Sequence, residues 1–159
     1  MSSPVEIAFT LNGQARRTVV APAASALSLL RDDFDLTAAK LACGEGECGA
    51  CTIIVDGASV CACILYAAEL DGCRVETVEG LDGGEGLDPV QAAFIETGAV
   101  QCGYCTPGMV LQIKALLAAD PDPDETAIRR GLEGNICRCT GYAKIFDAVR
   151  SAAATMKAG

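Results

Sequence analysis

Histidine is missing from all 159 residues, tryptophan is missing too, and aromatic residues make up only 4%. Without imidazole there is no Ser-His-Asp triad, no histidine general base and no mixed Cys/His zinc site. Basic residues are scarce: 12 Lys and Arg stand against 21 Asp and Glu, a net charge of −9. Such a surface repels a phosphate backbone, which excludes nucleic acid as a partner and leaves basic protein surfaces open. No apolar run approaches the ~20 residues that cross a bilayer, so no membrane span is expected. The start, Met1-Ser2-Ser3-Pro4-Val5-Glu6, has no basic stretch, no apolar stretch and no twin arginine. That predicts a cytoplasmic chain. P-loop and dinucleotide fingerprints are absent as well. The chain is poorly equipped to transform a substrate, and no catalytic residue is expected on it.

Cysteine is what the chain has in excess, with ten residues. Since 51% of the residues are hydrophobic, a real core can form without covalent staples. In a reducing compartment, that many thiols point to metal or redox chemistry. Eight of them fall into two groups of different spacing. Cys43, Cys48 and Cys51 stand in a glycine-rich run, Cys43-Gly44-Glu45-Gly46-Glu47-Cys48-Gly49-Ala50-Cys51, and Cys63 follows after eleven intervening residues. The second group is Cys102-Gly103-Tyr104-Cys105 with Cys137-Arg138-Cys139.

The surrounding pattern changes midway. Val5 to Leu11 alternates, Asn12-Gly13 is a hairpin signal, and Arg17 to Val20 can return as the partner strand. Ser25 is a candidate cap for a helix carrying Leu27, Leu30 and Phe34. Strands are predicted at Thr52 to Val55, Val60 to Leu65 and Arg74 to Val78, with Asp56-Gly57 as a turn. Residues 80–87 read as a glycine- and acid-rich linker. Beyond it, Asp88-Pro89 and Thr106-Pro107 open helices, Asp122 caps a third, and Ile145, Phe146 and Val149 mark a fourth. A small sheet domain at 1–80 and a helical domain at 81–159 follow.

The first group has the Cys-x4-Cys-x2-Cys spacing of plant-type [2Fe–2S] sites, whose iron requires soft thiolate ligands. Gly44, Gly46 and Gly49 let the backbone curl and aim N–H groups at the sulfurs. Cys61 competes with Cys63 for the fourth position, lying on the same face of a regular strand; spacing favours Cys63. A zinc knot is the alternative. The second group is less specific, and structural zinc stays open there. Cys105 sits at a helix start, where the dipole favours a thiolate.

Together, CGEGECGACTIIVDG, QCGYCTPGM and GNICRCTGY resemble the small iron–sulfur subunit of molybdenum hydroxylases, the xanthine oxidase and aldehyde oxidoreductase family. The likeness runs from about Glu6 to Val149. It implies an α+β fold: an N-terminal plant-ferredoxin-like β-grasp domain and a C-terminal four-helix bundle, each with one [2Fe–2S] cluster. It implies Cys43, Cys48, Cys51 and Cys63 as ligands of an outer cluster, and Cys102, Cys105, Cys137 and Cys139 as ligands of an inner one. Gln101 and Cys139 would contact a molybdopterin carried by a large partner subunit; otherwise Gln101 is a buried amide satisfying local backbone. An FAD-binding medium subunit or a cytochrome is an expected further partner, making a hetero-oligomer. The function implied is electron transfer from molybdenum through both clusters to a flavin or other acceptor. The rival is a stand-alone two-cluster carrier; a zinc-stabilised interaction module is a third reading. Cys61 and Cys73 have no ligand counterpart and are expected to be buried, small and apolar. Glu45 and Glu47 are expected to be solvated loop charges.

Overall fold

The computed structural model describes residues 3–81 and 86–158, so 82–85 of the expected linker lie outside the described residues. The chain is α+β. Its first half is a five-stranded mixed sheet. β1 (Val5–Leu11) and β2 (Gln14–Val20) pair antiparallel across Asn12-Gly13, with Leu11 opposite Gln14 and Val5 opposite Val20. Both turn residues have positive φ, +49° and +78°, as a two-residue hairpin matching the strand twist requires. β3 (Thr52–Val55) and β4 (Ala58–Cys61) form a second hairpin. β5 (Arg74–Glu76) joins the two, parallel to β1 and antiparallel to β3, giving the order β2-β1-β5-β3-β4.

Helix α1 (Ala26–Ser28) begins where Ser25 Oγ accepts from the Ser28 amide at 3.0 Å, and runs into a π-helical turn at Leu29–Asp33. It contributes Leu27, Leu29 and Leu30 to a core with Ile7, Phe9, Leu11, Ile53 and Val75. Burial of each such side chain is worth about 1.5–3 kcal/mol.

Two strands stop short of expectation, each because a backbone group finds another partner. β5 ends at Glu76: Thr77 is buried, and its amide donates to Asn12 Oδ1 at 2.8 Å while Asn12 Nδ2 donates to Thr77 Oγ1 at 2.9 Å. β4 ends at Cys61, where Ala62 leaves the ladder and its carbonyl accepts from the Leu27 amide at 2.9 Å.

Past the linker, α2 (Pro89–Glu96), α3 (Thr106–Ala119), α4 (Glu125–Gly131) and α5 (Ala143–Ala158) share a second core of Val90, Phe94, Met109, Ile113, Ile128, Ile145 and Val149. Asp88 caps α2, its carboxylate accepting from the Val90 amide at 2.9 Å, with Pro89 at the first position where no N–H is needed. The third cap is Asp124 rather than Asp122: its carboxylate accepts from the Ala127 amide at 2.7 Å. α3 also lies against β3, so it serves both halves.

Candidate metal centres

In the first group the backbone does the positioning. Gly44, Gly46 and Gly49 all take positive φ, curling residues 43–51 into a loop around its own thiols. The Glu45 amide donates to Cys43 Sγ at 3.4 Å. That amide, then the Cys48 thiol and the Cys48 and Glu47 amides, pull the Cys43 thiol down to about 6. Cys51 is the opposite case: 2% exposed, it is pushed up to about 12, first by burial. Glu45 and Glu47 are exposed, in keeping with solvated loop charges.

The eight motif sulfurs meet two by two, with Cys61 as a further thiol against Cys51. Cys43 touches Cys48, and Cys51 touches Cys63. In the second group Cys139 and Cys102 stand 3.5 Å apart, and Cys105 touches Cys137. Among the described residues, no three Cys, Asp or Glu side chains close on one point as the ligands of a single ion would. A tetrahedral zinc needs four donors around one centre. A [2Fe–2S] cluster takes four cysteines, two on each iron. Two pairs per site is the donor arrangement that suits the latter.

The second group is built from turns at helix ends. Cys105 stands immediately before the first residue of α3, and Cys137 and Cys139 stand between α4 and α5. The helix start does not govern Cys105: burial, then the Cys137 thiol, push it up to about 12. A coordinated metal deprotonates such a thiol outright. Cys137 is 8% exposed, and burial, the largest single influence, would raise it; the Thr140 hydroxyl and amide, the Cys139 amide and the Cys105 thiol together hold it below the ordinary range. Cys102 and Cys139 are exposed, and Gln101 is exposed beside them, not buried as a satisfied local amide would be.

The two groups adjoin. A cavity of about 210 Å³ is lined by Cys102, Cys105, Cys137 and Cys139, with Cys48 of the first group on its wall. The Ile136 amide donates to the Cys48 carbonyl at 2.9 Å. Asn135, 4% exposed, donates to the Gly49 carbonyl at 3.0 Å and to Thr52 Oγ1 at 3.1 Å. Gly108 lets α3 approach so closely that an added Cβ would collide with the Gly49 carbonyl. The Tyr104 hydroxyl donates to the Leu41 carbonyl at 2.6 Å.

Cys61 is not fully buried, as expected of a small core residue, but half-buried; its thiol touches Cys51 and donates to the Gly46 carbonyl at 3.4 Å. The first site thus gathers five thiols. Cys73 is also half-buried, away from both groups, with its thiol on the Glu69 carbonyl at 3.4 Å. Asn135, Thr140 and Tyr142 escaped the sequence reading. They stand inside the second motif, and their only signal was that adjacency.

Residues 9–93 match the 2Fe-2S iron-sulfur cluster binding domain, and residues 77–150 match the [2Fe-2S] binding domain. Fold and sites thus define a protein with two domains of [2Fe–2S]-binding type. The chain is 51% identical over 150 residues to the nicotinate dehydrogenase small FeS subunit of Eubacterium barkeri, covering 93% of this chain and 94% of that one. It is 42% identical over 150 residues to the xanthine dehydrogenase iron-sulfur-binding subunit of Escherichia coli, covering 93% and 94%. Quinoline 2-oxidoreductase from Pseudomonas putida 86 superposes with a TM-score of 0.93 at 40% identity, over 99% of each chain. Aldehyde oxidoreductase from Desulfovibrio desulfuricans superposes with a TM-score of 0.92 at 42% identity, over 96% of this chain and 17% of that longer one. The chain belongs to the family of small iron–sulfur subunits of molybdenum hydroxylases.

Proposed function

We propose that this chain is the electron-transfer subunit of a molybdopterin-dependent hydroxylase or dehydrogenase, with Cys43, Cys48, Cys51 and Cys63 holding one [2Fe–2S] cluster and Cys102, Cys105, Cys137 and Cys139 a second. The observation that carries it is the pairing of the eight thiols two by two within each site. When bound, the clusters supply one-electron transfer between the molybdenum centre of a partner and an external acceptor. The chain's own task is to hold, space and shield them. It contributes no group to bond making in a substrate. Relatives named for nicotinate, xanthine and quinoline share this sequence and fold at 40–51% identity, which fits a relay indifferent to the substrate.

The gradient of exposure supports a direction. Cys102, Cys139 and Gln101 lie on the open side, where a large molybdopterin-binding subunit would seat its pterin against Gln101 and Cys139. Cys105 and Cys137 face inward. From Cys137, one peptide link and one hydrogen bond, Ile136 N–H to Cys48 O at 2.9 Å, reach the first site. That site lies on the far side, toward an FAD-binding subunit or a cytochrome. Residues 1–80 are read as a β-grasp domain and 81–159 as a four-helix bundle of α2 to α5, working in a hetero-oligomer.

Iron analysis and low-temperature EPR test the reading. About four iron atoms per chain and two distinct reduced [2Fe–2S] signals are expected. A single signal, or zinc in place of iron, overturns it. Co-purification with a molybdenum-containing chain separates the subunit from a free carrier.

A further inference from the structure

Cys137 receives two hydrogen bonds from one residue. The Thr140 hydroxyl stands 3.0 Å from its sulfur and the Thr140 amide 3.4 Å. The hydroxyl is itself held: the Tyr142 amide donates to Thr140 Oγ1 at 3.3 Å, which leaves the hydroxyl proton for the sulfur. Tyr142 has φ +67°, a left-handed backbone that an L residue adopts only at a cost. Such a conformation persists where the surroundings over-determine it. Here the surroundings are plain. The Tyr142 hydroxyl accepts from the Cys137 amide at 2.9 Å and donates to the Asn135 carbonyl at 3.1 Å. Its ring packs on Phe146, 6.2 Å between centroids, and Arg129 covers the Phe146 ring at 5.0 Å. Tyr142 is therefore bonded at both ends to the loop that carries Cys137. Among the described residues, no other cysteine sulfur receives a hydroxyl; the first site has the Glu45 amide on Cys43 instead.

We propose that Thr140 sets the reduction potential of the second cluster through its hydroxyl on Cys137, and that Tyr142 is the positioning residue that keeps that hydroxyl aimed. The proposal rests on the two-cluster reading above. Reduction adds one negative charge to a cluster, and a donor on a ligand sulfur stabilises the reduced form more than the oxidised one. The hydroxyl therefore raises the potential of the second cluster.

The test is an EPR-monitored redox titration of the iron-loaded protein, unsubstituted and as Thr140→Val, Thr140→Ser and Tyr142→Phe. Valine keeps the shape and removes the donor. At a fixed potential the reduced fraction of the second cluster should fall about tenfold, about 59 mV for a one-electron couple. The first cluster is the internal control and should titrate unchanged, and Thr140→Ser should restore the second. Tyr142→Phe should shift the second potential in the same direction and add nothing in a Thr140→Val background. An unmoved second potential in Thr140→Val overturns the proposal, as does an equal shift of both clusters. Loss of the second signal with half the iron also overturns it, since the hydroxyl would then serve assembly. An additive shift in the double variant removes Tyr142 from the device. A single signal from the unsubstituted chain overturns the two-cluster reading and this proposal with it; two signals with an unmoved potential overturn this proposal alone.

Discussion

The first cysteine group is assembled by backbone, the second by side chains and helix ends. Residues 43–51 supply three thiols within nine positions and curl through left-handed glycines, so the main chain itself supplies donors, as Glu45 does to Cys43. The second group draws its thiols from positions 102 to 139, and its loop is braced by Asn135, Thr140 and Tyr142. The difference teaches where each site is vulnerable. A contiguous loop tolerates loss of a distant brace but not of a ligand. A site gathered from separate helices depends on every contact that holds the helices in place.

Removing a ligand is the largest expected effect. Cys63→Ser should abolish the first cluster, halving the iron and leaving the second EPR signal. Cys61→Ser should leave both, although its thiol touches Cys51. The reverse result would exchange their roles and make the fifth thiol of that site the ligand.

Next comes the seam between the groups. Gly108→Ala should destabilise the protein by about 3 kcal/mol, because the new methyl meets the Gly49 carbonyl and neither backbone can retreat cheaply. Gly134→Ala, whose Cβ would enter open space, should be near neutral. Urea midpoints of the two variants read the difference directly. If both are equally stable, the halves are not held at this seam.

Asn135→Ala should cost about 2 kcal/mol, since a buried amide serving Gly49 and Thr52 is lost. Both EPR signals should broaden, as the strut between the sites goes. A change confined to one site would make Asn135 a local brace.

The smallest effect is at the far surface. Glu125 pairs with Arg129 at 2.6 Å and Arg150 at 3.3 Å, and the Arg129 guanidinium holds its carboxyl below the ordinary glutamate range. A carboxylate lowered on folding adds stability above its unfolded value and loses it as pH falls through the folded one. Melting temperature should therefore sag slightly on acidification below the usual glutamate range. Glu125→Gln should flatten that part of the curve.

Much of this was legible without a structure. The Asn12-Gly13 hairpin, the Ser25 and Asp88 caps, α3 beginning at Thr106 and α5 around Ile145 and Val149 are local events, written in neighbouring residues. Strand ends were not legible: β4 stops at Cys61 because Ala62 bonds Leu27, and β5 stops at Glu76 because Thr77 bonds Asn12 across the sheet. The cap at Asp124 rather than Asp122 is the same lesson within one turn. The Cys105 thiol stands at a helix start, yet burial, which no local pattern reveals, pushes it up.

The sequence by itself determined the two cysteine grammars, because loop spacing and glycine placement act over a few residues, and it determined the absence of histidine chemistry. Only the tertiary structure decided which thiols pair. Cys102 reaches Cys139 across 37 positions, Asn135 reaches Gly49 across 86, and Ile136 meets Cys48. Such contacts follow from how α3 packs on β3, and that packing depends on the space left by Gly108, which a single residue's identity does not announce.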